Sequence, residues 1–270
     1  MNLAANEKSI GFIGAGIMGA SLIRGLLNSS IKANQIYISE KNLDRAAEVI
    51  SQFNVENLSL SQITQKCEVI FLSVKPQDLE NVLKEISSSL KNDTLLISIA
   101  AGKTSNFIEG LLKSKNPVVR VMPNTPAQIG KGVSVISAGS FATKADLDLT
   151  KELLSSTGLV IEIEESLQDA VTAVSGSGPA YFFSFVESMI KSGVKLGLSE
   201  EIATKLTIGT IVGSAAMLQE SGIDAATLRK NVTSPNGTTA AALEVFSTKK
   251  LDDIINEAMT AAKKRSQELA

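Results

Sequence analysis

Between Ser9 and about Ile163, short runs of β-branched and aliphatic residues alternate with stretches of helical periodicity. No other feature limits the fold as tightly. Ser9–Gly14, Gln35–Ser39, Val69–Ser73, Leu95–Ile99, Val118–Met122 and Val133–Ile136 read as strands of four to six residues. They are nearly all apolar, as strands covered on both faces must be. Leu43–Gln52 and Leu79–Leu90 carry apolar residues at helical spacing. Strand–helix alternation of this kind predicts a parallel sheet with helices on both faces. After about Ser166 the strand signals stop, and Ala180–Leu196, Glu200–Glu220, Ala225–Val232, Thr239–Thr248 and Leu251–Leu269 read as helices. A length of 270 residues suffices for two domains with cores. The expected division is residues 1–165, α/β, and residues 166–270, all-helical.

The first strand runs into Gly14-Ala-Gly-Ile-Met-Gly19, which opens a helix over Ile17–Leu27. This is the setting in which the Gly-x-Gly-x-x-Gly fingerprint of a dinucleotide-binding Rossmann domain carries meaning. Gly14 permits the tight turn, Gly16 lets the backbone approach a pyrophosphate, and Gly19 lets helix and strand pack closely. The helix start, with Ala15, Ile17 and Met18, offers N–H groups and partial positive charge to phosphates. An ordinary glycine-rich strand–helix turn is the alternative. At the end of the second strand, Glu40 suits an adenosine ribose diol and NAD, whereas Ser39 and Lys41 suit a 2′-phosphate and NADP. The two signals conflict; NADPH is the expected cofactor, with NADH as the alternative. Ser73-Val-Lys-Pro76, Ile99-Ala-Ala-Gly102 and Met122-Pro-Asn-Thr-Pro126 each follow a strand directly. In an open α/β sheet such turns converge on one crevice, which makes Val74, Lys75, Pro76, Ala100, Ala101 and Asn124 further cofactor candidates. Lys75 serves equally as a helix start.

Composition narrows the chemistry. Net charge is −2 with no basic block, so nucleic acid is not an expected partner. No run of 18 apolar residues suggests a membrane span, and no apolar leader precedes the first strand. A single cysteine, Cys67, forms no intrachain disulfide, which fits a reducing cytoplasm. With no histidine and one thiol, no metal site is expected. The absence of histidine also removes imidazole acid–base chemistry and any Ser-His-Asp hydrolase. Hydride transfer to an already protonated imine requires no such group. In the helical half, Gly209, Gly213, Ser214, Ala215 and Ala216 share one helix. Such small residues suit close helix contact, either within one chain or between subunits. A helical tail with little core of its own favours a dimer.

Two further motifs lie in the last hundred residues: Ser175-Gly-Ser-Gly-Pro-Ala-Tyr181 and Thr233-Ser-Pro-Asn-Gly-Thr-Thr239. Together with Gly11-Phe-Ile-Gly-Ala-Gly-Ile-Met-Gly19, Val74-Lys-Pro76, Ala100-Ala-Gly102 and Arg120-Val-Met-Pro-Asn-Thr-Pro126, they make the chain resemble the pyrroline-5-carboxylate reductases. The match runs in order from Ile10 to about Leu269, and five of the six prolines, all but Pro117, fall inside it. The resemblance implies a Rossmann domain followed by a helical dimerisation domain, in a homodimer or a larger assembly of dimers. It implies an active site formed by the cofactor of one subunit and the helical domain of its partner. The reaction implied is NAD(P)H-dependent reduction of 1-pyrroline-5-carboxylate to L-proline. By the same resemblance, Asn231, Ser234, Gly237, Thr238 and Thr239 hold the substrate, with Thr239 the hydroxyl nearest the ring nitrogen. Exposed N–H groups at a helix start suit a carboxylate, although Thr238 would serve equally as a helix N-cap and Pro235 as a turn residue. Tyr181 reads as helix core rather than pocket wall. Asn236 stands where the family has glycine, and asparagine tolerates a left-handed backbone better than other non-glycine residues. A second family with the same domain plan, the 3-hydroxyacid dehydrogenases, carries a catalytic lysine on the corresponding helix. Here that turn is Tyr181-Phe-Phe-Ser-Phe, with no lysine before Lys191.

Overall fold

The protein is described from a computed structural model, over Glu7–Leu269. Eight strands form one sheet: β1 (Ile10–Ile13), β2 (Ile36–Ser39), β3 (Glu56–Asn57), β4 (Val69–Leu72), β5 (Leu95–Ser98), β6 (Val118–Met122), β7 (Gly132–Ala138) and β8 (Gly158–Glu162). Their order is β3-β2-β1-β4-β5-β6-β7-β8. Ile10 stands opposite both Ile36 and Val69, so the chain order reverses at β1, with β2 on one side and β4 on the other. A crevice opens at such a reversal, beyond the carboxyl ends of the strands.

The strands from β3 to β6 are parallel, as the alternating pattern predicts, but β7 is antiparallel to β6. The segment from Met122 to Gly132 holds only the 3₁₀ turn Thr125–Ile129, too short for the dozen or more residues a parallel crossover needs. β8 then pairs parallel to β7. Strands β3 and β8 escape the sequence pattern. The first has two residues, and the second is largely exposed, so neither shows the apolar run of a covered strand.

Strand periodicity divides the core. On β4, Val69 and Phe71 face one cluster with Ile10, Phe12, Ile36 and Ile38, while Ile70 and Leu72 face another with Leu79, Leu83 and Leu96. The rings of Phe12 and Phe71 stack with centroids 4.6 Å apart. The covering helices are α1 (Ile17–Leu27), α2 (Leu43–Phe53), α3 (Leu60–Lys66), α4 (Pro76–Ile86), α5 (Ser105–Leu111) and α6 (Lys144–Leu154). Asn42, Ser59, Thr104 and Thr143 cap α2, α3, α5 and α6 by accepting a backbone N–H; each such cap contributes about 1 kcal/mol.

After the short α7 (Gln168–Val171) and a π-helical turn over Thr172–Gly176 come α8 (Gly178–Lys195), α9 (Glu200–Glu220), α10 (Ala225–Asn231), α11 (Thr238–Thr248) and α12 (Leu251–Glu268). Packing separates the chain into two units at Ser177/Gly178, inside the Ser175–Tyr181 motif, and residues from Ala262 onward belong to the first unit. The sequence places a single change at 165/166. Helical periodicity marks where helices begin, but not which body a helix packs against. In the second unit α8 and α9 pack as a hairpin, close enough that a Cβ on Gly193 would lie 3.1 Å from the Ala203 Cβ. Among the described residues of that unit, Ala203 is the only buried apolar side chain outside glycine. The two halves thus differ sharply in core.

Candidate active site

The Gly14–Gly19 turn sits where β1 ends, and its geometry explains each glycine separately. Gly14 has φ +86°, and a Cβ there would stand 2.9 Å from the Ser73 carbonyl oxygen. Both facts exclude a larger residue. A Cβ on Gly19 would lie 3.1 Å from both the Gly14 oxygen and the Ser73 hydroxyl, so this glycine sets the helix–strand approach. Gly16 has open space around its missing Cβ. Its bareness is therefore not required by packing within the chain and leaves room for a ligand. Gly16 is the N-cap of α1; no side chain caps that helix and its first turn has no acidic residue. Free N–H groups and an uncompensated dipole there suit a phosphate.

Three side chains hold the turn. Glu40 Oε2 accepts the Ala15 N–H at 2.8 Å, while Oε1 accepts the Asn42 N–H at 2.9 Å. Arg45 Nε donates to the Ala15 carbonyl at 2.7 Å and Nη2 to the Gly16 carbonyl at 3.3 Å. The Ser73 hydroxyl donates to the Gly14 carbonyl. Asn57, at the end of β3, accepts from the Glu40 N–H at 3.0 Å. Neither Arg45 nor Asn57 belongs to a sequence pattern. Arg45 lies in an ordinary amphipathic helix and Asn57 ends a two-residue strand, so only the fold reveals that Arg45 reaches the turn and that Asn57 holds the Glu40 backbone.

A cavity of about 730 Å³ opens at this crevice, within the range of small-molecule and cofactor sites. Gly14, Gly16, Ser39, Lys41, Val74 and Lys75 line it, joined by Glu40, Asn57 and Asp78. Lys41 is highly exposed and stands 3.8 Å from Asp78. Lys75 is the N-cap of α4 with Pro76 at the first helical position, so it occupies a helix start and lines the cavity at once. Ala15 and Ala100 are buried. Asn124 is buried too, its Oδ1 accepting from Val133 N–H at 2.8 Å and its Nδ2 donating to Ser175 Oγ at 3.2 Å. Its side chain thus ties β6 to β7 and to the Ser175 motif, leaving no free amide for a dinucleotide.

The Thr233–Thr239 loop lies in the second unit. Gly237 N–H donates to the Ser234 carbonyl at 3.0 Å, closing a turn with Pro235 and Asn236 at its centre. Asn236 has φ +59° at the third position, where a type II turn demands a left-handed residue. That is the physical reason asparagine can stand where the resemblance leads one to expect glycine. The N-cap of α11 is Gly237, not Thr238, and it offers no side chain. Thr238 and Thr239 are the first two helical residues, Thr238 exposed and Thr239 half-buried. The α11 start is thus uncapped and free of acidic residues, the same arrangement as at α1. Thr233 Oγ1 donates to the Arg229 carbonyl at 2.6 Å and fastens the loop to the end of α10, where Asn231 is exposed. Tyr181 is half-buried, and its hydroxyl is shielded without a hydrogen bond.

Fold and turn together define a dinucleotide-dependent oxidoreductase with a helical second unit. Residues 9–102 match the family model described as NADP oxidoreductase, coenzyme F420-dependent, and residues 165–269 match pyrroline-5-carboxylate reductase dimerisation. The chain is 42% identical over 263 residues to the pyrroline-5-carboxylate reductase of Pseudomonas aeruginosa, covering 97% of this chain and 96% of that one. It is 36% identical to pyrroline-5-carboxylate reductase 1 of Bacillus subtilis, covering 98% and 90%. Among solved structures, the enzyme of Coxiella burnetii superposes with TM-score 0.90 at 33% identity, covering 98% of this chain and 99% of that one. That of Plasmodium falciparum, with NADP bound, gives 0.87 at 32%, covering 98% of each. The chain belongs to the pyrroline-5-carboxylate reductase family.

Proposed function

We propose that the protein reduces 1-pyrroline-5-carboxylate to L-proline, the last step of proline biosynthesis, with NADPH as cofactor and NADH as the alternative. One observation carries the reading: each unit presents a helix start of the same kind, uncapped and without acidic residues, one at Gly16 and one at Gly237. The first suits a pyrophosphate and the second a carboxylate. A nicotinamide dinucleotide and a cyclic imino acid supply one of each.

The residues at the first site fit the nucleotide. Gly14, Ala15, Gly16, Ile17, Met18 and Gly19 form the phosphate turn, with Ser39 and Lys41 at the adenosine end. Val74, Lys75, Pro76, Ala100 and Ala101 line the strand ends, with Asn124 acting through the turn it anchors. When bound, the nicotinamide supplies the hydride. Ser234, Gly237 and Thr238 grip the substrate carboxylate, with Asn231 beside them, and Thr239 is the catalytic hydroxyl facing the ring nitrogen. Hydride addition to the imine carbon turns the C=N bond into C–N, and the nitrogen keeps the proton it took from solvent. The protein then needs to orient rather than to exchange protons, consistent with a chain that has no histidine.

A homodimer, or a larger assembly of dimers, accompanies this reading. α9 leaves Leu206, Ile208, Val212 and Met217 exposed in the single chain, with Phe182 and Phe183 on α8. A helix apolar on all sides calls for burial. Among the described residues, outside the helix's own backbone, nothing lies within 4 Å of where a Cβ on Gly209 or Gly213 would be, so packing against them does not explain these small residues. No described helix is long and apolar enough to cross a membrane, and one free cysteine fits a cytoplasmic protein. Following absorbance at 340 nm with pyrroline-5-carboxylate and either nucleotide, with proline identified as product, tests the reading. Absence of turnover with both would overturn it.

A further inference from the structure

We propose that Ser266 and Leu269, at the end of α12, are positioning residues for the turn Ala100–Gly102 and through it for the dinucleotide. The proposal rests on the reading above in one respect, that this turn faces the cofactor.

The first contact is direct. Gly102 has φ +78°, and a Cβ on it would stand 2.8 Å from the Leu269 Cβ and 3.0 Å from the Leu269 carbonyl carbon. Leu269 thus lies against the bare face of the glycine that ends the turn. The second contact runs through a cluster in which Arg120, Ser105 and Ser266 are buried and Glu165 and Asp169 are half-buried. Ser266 is 3% exposed, and its Oγ donates to Asp169 Oδ1 at 2.7 Å. Asp169 lies 3.9 Å from Arg120 Nη2, and Arg120 Nη1 lies 3.4 Å from Glu165 Oε1. Glu165 Oε1 in turn accepts the Ser105 N–H at 2.7 Å, and Oε2 accepts the Ser105 hydroxyl. Ser105 opens α5 only three residues beyond Gly102.

The charge count gives Ser266 its role. Arg120 is 4% exposed and is one cation between two carboxylates. Glu165 and Asp169 are only partly buried, and a partly desolvated carboxylate still gains from further donors. Ser105 supplies two to Glu165, and Ser266 supplies one to Asp169. The stretch from Gly102 to Ser105 is therefore held at both ends by residues at and just beyond the end of α12, at Gly102 by packing with Leu269 and at Ser105 through the cluster that Ser266 joins. Ser98, which ends β5, also pairs with Arg120 across the sheet, so the cluster and the turn share one strand end. Small displacements of groups that position a reactant lower rates and affinities far more than they lower stability.

The test is a Ser266→Ala/Leu269→Gly double variant of the full chain. NADPH affinity is read by fluorescence titration, with steady-state kinetics and melting temperature alongside. The expected result is a rise of about tenfold in NADPH Kd and KM, with kcat within about twofold and Leu269→Met indistinguishable from wild type. An NADPH Kd within about twofold of wild type, whatever the fall in melting temperature, would mean the contacts only stabilise, and would overturn the proposal. A wild-type protein that binds NADPH yet does not turn over pyrroline-5-carboxylate would instead overturn the proposed reaction, and the titration would still decide on the positioning role.

Discussion

The Glu40 carboxylate accepts the Ala15 amide proton at 2.8 Å, 25 residues away in sequence. An acidic residue at the end of the second strand is usually read for its contact with ribose. Here it anchors the Gly14–Gly19 turn, together with Arg45, which holds the Ala15 and Gly16 carbonyls. Glu40 also lines the cavity beside Ser39 and Lys41, where a 2′-phosphate would sit. Replacing it by alanine removes two hydrogen bonds to a charged group, each contributing at most roughly 1.5–3 kcal/mol net and less at this partly exposed site. Glu40→Ala should lower the melting temperature and raise the NADPH:NADH ratio of kcat/KM by about tenfold. Parallel assays with both nucleotides check this, and an unchanged ratio would remove Glu40 from cofactor selection.

Gly14 and Gly16 should respond oppositely to alanine. Gly14→Ala meets both a positive φ and the Ser73 carbonyl, so it should destabilise by about 1–3 kcal/mol. Gly16→Ala meets nothing within 4 Å among the described residues. It should melt within about 2 °C of wild type while weakening NADPH binding by about tenfold or more, because its methyl group enters the space a pyrophosphate would take. Thermal melts and nucleotide titrations of the two variants separate the roles.

In the second unit, Thr239→Ala should lower kcat/KM for pyrroline-5-carboxylate by about tenfold to a thousandfold, corresponding to ~1.4–4 kcal/mol of transition-state stabilisation. Its stability should hardly change, since Gly237 rather than a threonine caps α11. Kinetics equal to wild type would exclude Thr239 from the site.

Asn236→Gly should leave stability within about 0.5 kcal/mol, since relief of left-handed strain is offset by a more flexible unfolded chain. Asn236→Ala, which has no such tolerance, should be less stable by about 1 kcal/mol. Chemical denaturation of both variants distinguishes turn geometry from side-chain contact as the reason for this residue.

Cys67 is fully buried, and burial pushes its thiol from 9.0 up to about 12. Well below pH 9 the thiol is neutral in both folded and unfolded chains. Between pH 9 and about 12 the unfolded chain releases the proton while the folded chain keeps it, so stability falls as pH rises. The slope from this group is at most about 1.4 kcal/mol per pH unit. Denaturation from pH 8 to 11 should show a decline that is shallower in Cys67→Ala, and the native thiol should resist aromatic disulfide reagents at pH 8.

The sequence by itself determined the longer strands and helices and the glycine turn after the first strand. Strand runs such as Val69–Leu72 alternate their side chains between two cores, so their apolar continuity is visible one residue at a time. Gly14 and Gly19 are legible for a related reason: a sharp turn and a close packing leave no alternative residue type. Local periodicity could not reveal pairing, direction or long-range reach. The antiparallel β7 depends on the length of a connection, and β3 is too short to carry a pattern. The replacement of Thr238 by Gly237 as helix cap depends on the backbone of one turn. Arg45, Asn57, Ser266 and Leu269 are unremarkable where they stand in the sequence. Only tertiary structure, which brings together residues with no local reason to be neighbours, places Arg45 on the Gly14–Gly19 turn, Asn57 on the Glu40 backbone, Ser266 against Asp169 and Leu269 against Gly102.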